Sequence, residues 1–236
     1  MHSDTSAVPV QPCRHCGTHA PVNVHFCPRC EKILTLGRHG DYFRFFGLTR
    51  RLEVDQRDLE QRFRTLSRQF HPDYYHNASS AERLASLERA SYLNDAFRTL
   101  REPVARLEYL LKLEGIAPKE SREATAQVPA GLLEEVFELN EELEAIHEMR
   151  LEGAGADQIA ARLEEARHPV EAKLDEHNRQ LADLGRQHDA QLDAGDAEAR
   201  RRTLEQLRTL LLERTYLNNL LSTIRREMGG EDPAGV

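Results

Sequence analysis

From Asp55 to Leu100 the apolar residues keep the spacing of a helical face on both sides of a single break, and that break reads His71-Pro72-Asp73. Before it, Leu59, Phe63, Leu66 and Phe70 recur at intervals of four, three and four, the rhythm of an amphipathic helix. Asp55 is placed to cap that helix, and Asp58 suits its first turn. Proline disfavours helical geometry in the residue before it, so the helix is expected to stop at His71. A second helix is expected from Ser79 or Ser80, with Leu84, Leu87, Ala90, Leu93, Ala96, Phe97 and Leu100 as its apolar positions. Two such helices joined by a short loop bury their faces against each other as a hairpin. Upstream, DYFRFFG at 41–47 predicts a short aromatic helix between an Asp41 cap and a Gly47 stop. Downstream, Pro103 fits the first turn of a further helix that ends at Gly115.

The rest of the chain is built for helices as well. Charged residues make up 31% of its 236 residues and aromatics 6%, with no Trp, which favours long amphipathic helices over a broad sheet. After a Pro-containing linker at 116–129 come three runs of helical spacing at about 130–150, 157–190 and 196–228. Gly153 and Gly155 break the first from the second, and Pro169 is expected to kink the second or divide it in two. Three amphipathic helices joined by short Gly/Asp turns predict an antiparallel bundle. Residues 229–236 and the first eleven or so are expected to be disordered. The N-terminal MHSDTSAVPVQ holds neither Lys or Arg nor an apolar core, which argues against a secretory signal and an Arg-rich presequence and for a cytosolic chain. No apolar run approaches a membrane span, so no membrane partner is expected.

The formal charge of −8 is uneven. Residues 41–113 carry 13 Lys and Arg against 11 Asp and Glu, whereas residues 114–236 carry 15 against 27. An acidic surface repels phosphate backbones, so nucleic acid is not an expected partner.

All four cysteines lie at the N-terminal end, as Cys13-x-x-Cys16 and Cys27-x-x-Cys30 with ten residues between the pairs. Two short loops that each present two sulfurs suit one tetrahedral ion. Gly17 permits a tight turn after the first pair, and Pro28 constrains the second. Zinc is the default ion for four thiolates, and four sulfurs leave no open position, so the site is expected to be structural. A four-Cys iron site, two disulfides and unpaired thiols are the alternatives. A segment this small buries little core, so metal would supply much of its folding energy.

Arg57, Gln61, Arg64 and Arg68 recur along the first hairpin helix, opposite its apolar face. This stripe reads as a solvated face or as a docking surface. An enzyme using His71 and Asp73 as acid and base lacks a nucleophile, a Gly-rich cradle and an open metal site in this sequence.

An aromatic helix, an arginine-striped helix, His-Pro-Asp at its end and YLNDAFRTL beyond resemble a J-domain over residues 41–102. With LREPVARLEYLLKLEGI and LLEEVFELNEELEAIHE following, the chain is similar, from Asp41 to about Met228, to the iron–sulfur cluster co-chaperones of the HscB type. The tetra-Cys head resembles that of eukaryotic, mitochondrial members, which makes the mitochondrial matrix the alternative to the cytoplasm. The resemblance implies a mainly α protein: a zinc knuckle at 12–38, a J-domain at 41–115 and a three-helix scaffold-binding bundle at 130–228. It also implies a protein with no chemistry of its own. His71, Pro72 and Asp73, with Arg57, Arg64 and Arg68, would dock on a DnaK-type, HscA-like chaperone. Leu133, Phe137, Glu138, Glu141 and Tyr216 would bind the IscU-like cluster scaffold. Glu134 stands where family members often have Met. The bland reading of the apolar residues at 133–137 is a wide core face. The alternative role is a general J-domain co-chaperone for other clients, which would want a Gly/Phe-rich linker or a larger Cys-rich domain.

Overall fold

The computed structural model describes residues 10–36, 40–116 and 129–229. The start of the N-terminus, nearly all of the 116–129 linker and the C-terminal tail beyond 229 lie outside the described residues, as do 37–38 of the expected metal segment. The chain divides into two compact units, Met1–Leu110 and Leu111–Val236. No helix among the described residues is long and apolar enough to cross a membrane.

The first unit opens with two short antiparallel strands, β1 (Val10–Pro12) and β2 (His19–Pro21), with Gln11 opposite Ala20. Four helices follow in chain order. Helix α1 (Tyr42–Phe45) is capped by the Asp41 side chain, which accepts from the Arg44 amide at 2.9 Å. Helix α2 (Gln56–Phe70) starts under Asp55, whose carboxylate accepts from the amides of Arg57 and Asp58. Helix α3 (Ser80–Arg101) begins with a capping box in which Ser79 and Glu82 satisfy each other's amides. Helix α4 (Pro103–Leu113) carries the chain into the second unit.

Helices α2 and α3 form the hairpin, with Leu59, Phe70, Leu93, Ala96 and Leu100 buried between its arms and Phe63 stacked on Phe97 at 4.3 Å. The rings of Phe43 and Phe45 in α1, and of Phe46 just after it, are buried as well. Arg106 is buried and donates to the carbonyls of Leu52 and Leu100, tying the α3–α4 junction to the loop before α2. The start of α3 departs from the periodicity. Leu84 and Leu87 face solvent, at 48% and 55% exposed, and Ala85, Ser86 and Arg89 take the inward positions. The turn of the face has a polar cause: Ser86 donates to the Phe70 carbonyl at 2.7 Å, and Arg89 reaches the cysteine-bearing head.

The second unit is a three-helix bundle of α5 (Leu133–Leu151), α6 (Ala156–Ala194) and α7 (Ala197–Glu227). Its core takes Leu132, Val136, Leu139 and Ile146 from the α5 segment, Leu163, Ala166 and Val170 from α6, and Leu217, Leu221 and Ile224 from α7. Helix α6 runs unbroken through Pro169, so the proline does not divide it. Proline costs an interior turn about 3 kcal/mol, and the buried side chains on both sides of it offset that cost. Gly195 ends α6 in the left-handed conformation at φ 71°, and Asp196 caps α7.

Beneath the start of α5, Glu213 accepts from His177 Nε2 at 2.9 Å. A side chain at Gly131 would bring its Cβ within 2.6 Å of the Glu213 carboxylate, so glycine there leaves room for the pair of buried His177 and half-buried Glu213.

Candidate functional site: an exposed turn, a tetra-Cys head and an acidic helix face

Pro72 opens a single 3-10 turn, Pro72–Tyr75, at the end of the hairpin. His71 remains extended at φ −60° and ψ 125°, as a residue before proline must. Its Nδ1 accepts from the Asp73 amide at 3.3 Å. A neutral ring that accepts at Nδ1 carries its proton on Nε2, so His71 presents a donor to solvent. Asp73 is 86% exposed at its side chain and His71 52%. The turn is braced from behind: Tyr74 donates its amide to the His71 carbonyl, and the Tyr75 hydroxyl donates to the Gln69 carbonyl at 3.0 Å. One donor and one carboxylate are thus held outward on a short rigid turn.

Arg57, Gln61, Arg64 and Arg68 are all exposed on α2, leading up to this turn. Arg64 lies 3.5 Å from Glu60, a long surface contact that leaves the stripe's positive character in place.

The four cysteines come together, with all four sulfurs within 4.8 Å of one another. Cys13 and Cys30 Sγ stand 3.7 Å apart, and Cys16 and Cys27 Sγ 3.6 Å. Four sulfurs on a tetrahedron with Zn–S of about 2.3 Å are about 3.8 Å apart, whereas a disulfide is about 2.05 Å. The geometry fits one ion better than two disulfides. Both knuckles close in the same way. The Gly17 amide returns to the Cys13 carbonyl and the Glu31 amide to the Cys27 carbonyl. Each turn needs one left-handed residue, Gly17 at φ 71° in the first and Glu31 at φ 58° in the second. Hydrogen bonds from the Thr18 side chain and backbone pull the Cys16 thiol down to about 6, whereas, against the pull of a Lys32 backbone hydrogen bond, burial and the neighbouring thiols push Cys30 up to about 12.

Chelation is expected to remove about one metal ion per chain and to loosen residues 12–32. Far-UV circular dichroism read alongside the metal content checks this: helicity should stay nearly constant, because no described residue of the head is helical.

The head is seated on the hairpin by a residue that the helical pattern alone passes over. Arg89 of α3 is 1% exposed. It donates to the Leu34 carbonyl at 2.7 Å and to His25 Nδ1 at 2.8 Å, with longer contacts to the carbonyls of Val24 and Thr35. Burial pulls the Arg89 pKa down to about 10, which keeps it charged at neutral pH. Burial, with the neighbouring guanidinium, pulls His25 down to about 4, which leaves it a neutral acceptor.

On the bundle, Leu133, Glu134, Phe137, Glu138 and Glu141 lie exposed along α5. Leu133 is 58% and Phe137 63% exposed, so the wide-core reading of this helix does not hold for them. Glu138 also lines a cavity of about 230 Å³ with Glu135, Glu142, Glu165 and Pro169. Tyr216 differs from the rest: it is half-buried and packs on the bundle core.

An aromatic helix, a J-domain-like hairpin with an outward His-Pro-Asp turn, a tetra-Cys head and a C-terminal helical bundle make up an architecture shared with a co-chaperone of known structure. More narrowly, the chain matches co-chaperones of the HscB family by sequence and by structure. It is 42% identical over 106 residues to HscB homologues of Vibrio cholerae strains M66-2 and O395, a match covering 45% of this chain. That match spans 61% of the length of those relatives. The crystal structure of human co-chaperone protein HscB superposes with a TM-score of 0.63 and 26% identity, covering 92% of this chain and 98% of the human one. No family model matches the chain.

Proposed function

We propose that this protein is a J-domain co-chaperone of iron–sulfur cluster biogenesis. The exposed His71-Pro72-Asp73 turn carries this reading, because it holds a donor and a carboxylate outward where another protein can meet them. The likeness to HscB-type co-chaperones supports it. The turn docks on a DnaK-type ATPase and favours its hydrolysis-ready state. Arg57, Arg64 and Arg68 meet an acidic surface of that ATPase and raise the encounter rate. Leu133, Phe137, Glu138 and Glu141 hold the cluster scaffold protein, and Tyr216 supports that surface from α7. ATP hydrolysis in the partner then promotes cluster release. The chain itself performs no reaction. Zinc is the ion of the tetra-Cys head, on the strength of the four-thiolate donor set and its tetrahedral spacing. The Vibrio cholerae relatives are bacterial, which supports a cytoplasmic setting.

A steady-state ATPase assay with the cognate DnaK-type chaperone tests the reading. Chain and scaffold together are expected to stimulate hydrolysis well beyond the sum of their separate effects. Purely additive stimulation would remove the scaffold from the account and leave a general J-domain co-chaperone.

A further inference from the structure

The second cysteine knuckle and the residues beside it contact the residues that flank the His71-Pro72-Asp73 turn on both sides in sequence. Ahead of the turn, His25 sits edge-on to Phe70 with ring centroids 5.0 Å apart, and Phe26 lies 6.1 Å from the same ring. Phe70 is the last residue of α2 and is fully buried. Behind the turn, Lys32 pairs with Glu82 at 2.9 Å, and Glu82 caps the start of α3. Between these contacts stands Arg89, its guanidinium beside the Phe70 and Phe45 rings at 5.6 and 6.0 Å.

The acceptors of Arg89 are the carbonyls of Val24, Leu34 and Thr35 and the ring of His25. They lie at the two ends of the loop that carries Cys27 and Cys30. They converge only while that loop is closed, through Leu34 N to His25 O at 3.0 Å and Cys27 N to Lys32 O at 2.9 Å. A buried guanidinium deprived of acceptors is costly, so the seated arrangement and the closed knuckle require each other. A metal ion held by Cys27 and Cys30 would hold the knuckle closed.

We propose that the second knuckle and the His71-Pro72-Asp73 turn form one coupled unit, with Arg89 as the coupling residue, so that metal loss from the head loosens the turn. The proposal rests on the metal reading of the four cysteines. Coupling of this kind is reciprocal: whatever docking adds to metal affinity, metal adds to the order of the turn. Loss of the head's metal would thereby lower the protein's ability to trigger its chaperone, although no cysteine touches the docking surface.

The test measures zinc affinity of the full chain by competition with a chromophoric chelator, for the wild type and for Arg89→Met, which keeps the stem and removes the donors. One zinc per chain is expected in both, bound about tenfold more weakly by the variant, or about 1.4 kcal/mol. A residue that merely stabilised the hairpin would not move this affinity. In parallel, amide hydrogen exchange at residues 70–76 of the wild type is expected to accelerate about tenfold when zinc is removed. An affinity loss below threefold, or exchange at 70–76 indifferent to metal, overturns the coupling and leaves the metal assignment intact. A wild-type chain that takes up no zinc overturns both. Should Arg89→Met fail to fold, the wild-type exchange comparison decides alone.

Discussion

His71→Gln is expected to reduce stimulation of the DnaK-type ATPase by about 10- to 100-fold, the range for losing one hydrogen bond to a charged group. The geometry gives the reason. The Asp73 amide fixes the imidazole through Nδ1, which also lies 3.5 Å from the Asp73 carboxylate, and leaves Nε2 as the donor of a half-exposed ring. Glutamine can donate, but its amide has no ring to hold that donor at the same position and angle. His71 is half exposed, so the fold should be nearly indifferent, with stability within about 0.5 kcal/mol of wild type. Scaffold binding should survive, since the α5 face belongs to the other compact unit. Full stimulation by the variant at unchanged concentration would refute the role given to the turn.

Phe137→Ala is expected to weaken scaffold binding about 30-fold, the loss typical of an aromatic anchor worth about 2 kcal/mol. The ring is 63% exposed, so its removal opens no core cavity. Basal stimulation without scaffold should not change. Isothermal titration against the scaffold protein checks the first expectation, and the ATPase rate checks the second. Leu133→Ala should act in the same direction and more weakly, because the lost side chain is smaller. Tyr216→Ala is the less informative variant: Tyr216 packs on the bundle core, so its loss would mix binding with stability.

What could be read in the sequence was local. The hairpin follows from a helical rhythm on either side of one break, a proline after His71 and caps at Asp55 and Ser79. The metal head follows from cysteine spacing that has few other uses. What could not be read was set by contacts between distant residues. Arg89 sits in ERASY, which scans as a solvated stretch. It is buried only because a loop some 55 residues earlier supplies its acceptors. A separate contact, from Ser86 to the Phe70 carbonyl, turns Ser86 inward, and Leu84 and Leu87 stand in water. Pro169 would end an isolated helix, and bundle packing carries α6 through it. Periodicity places Phe137 among apolar positions of α5 without saying that it points away from the core. Composition shows the second unit to be acidic, and the structure adds that Glu138 and Glu141 stand exposed on the same helix as Leu133 and Phe137.

The central claim is that one chain presents the trigger and holds the scaffold at the same time. Linking the two surfaces raises the effective concentration of each partner for the other, to the millimolar range for a short connection. Two variants, each missing one surface, test this directly. His71→Gln and Phe137→Ala are mixed in equal amounts with the chaperone and the scaffold, at chain concentrations well below the scaffold dissociation constant. The account predicts that the mixture stays at the level of Phe137→Ala alone, because no single molecule carries both surfaces. Stimulation restored to the wild-type level by the mixture would contradict it.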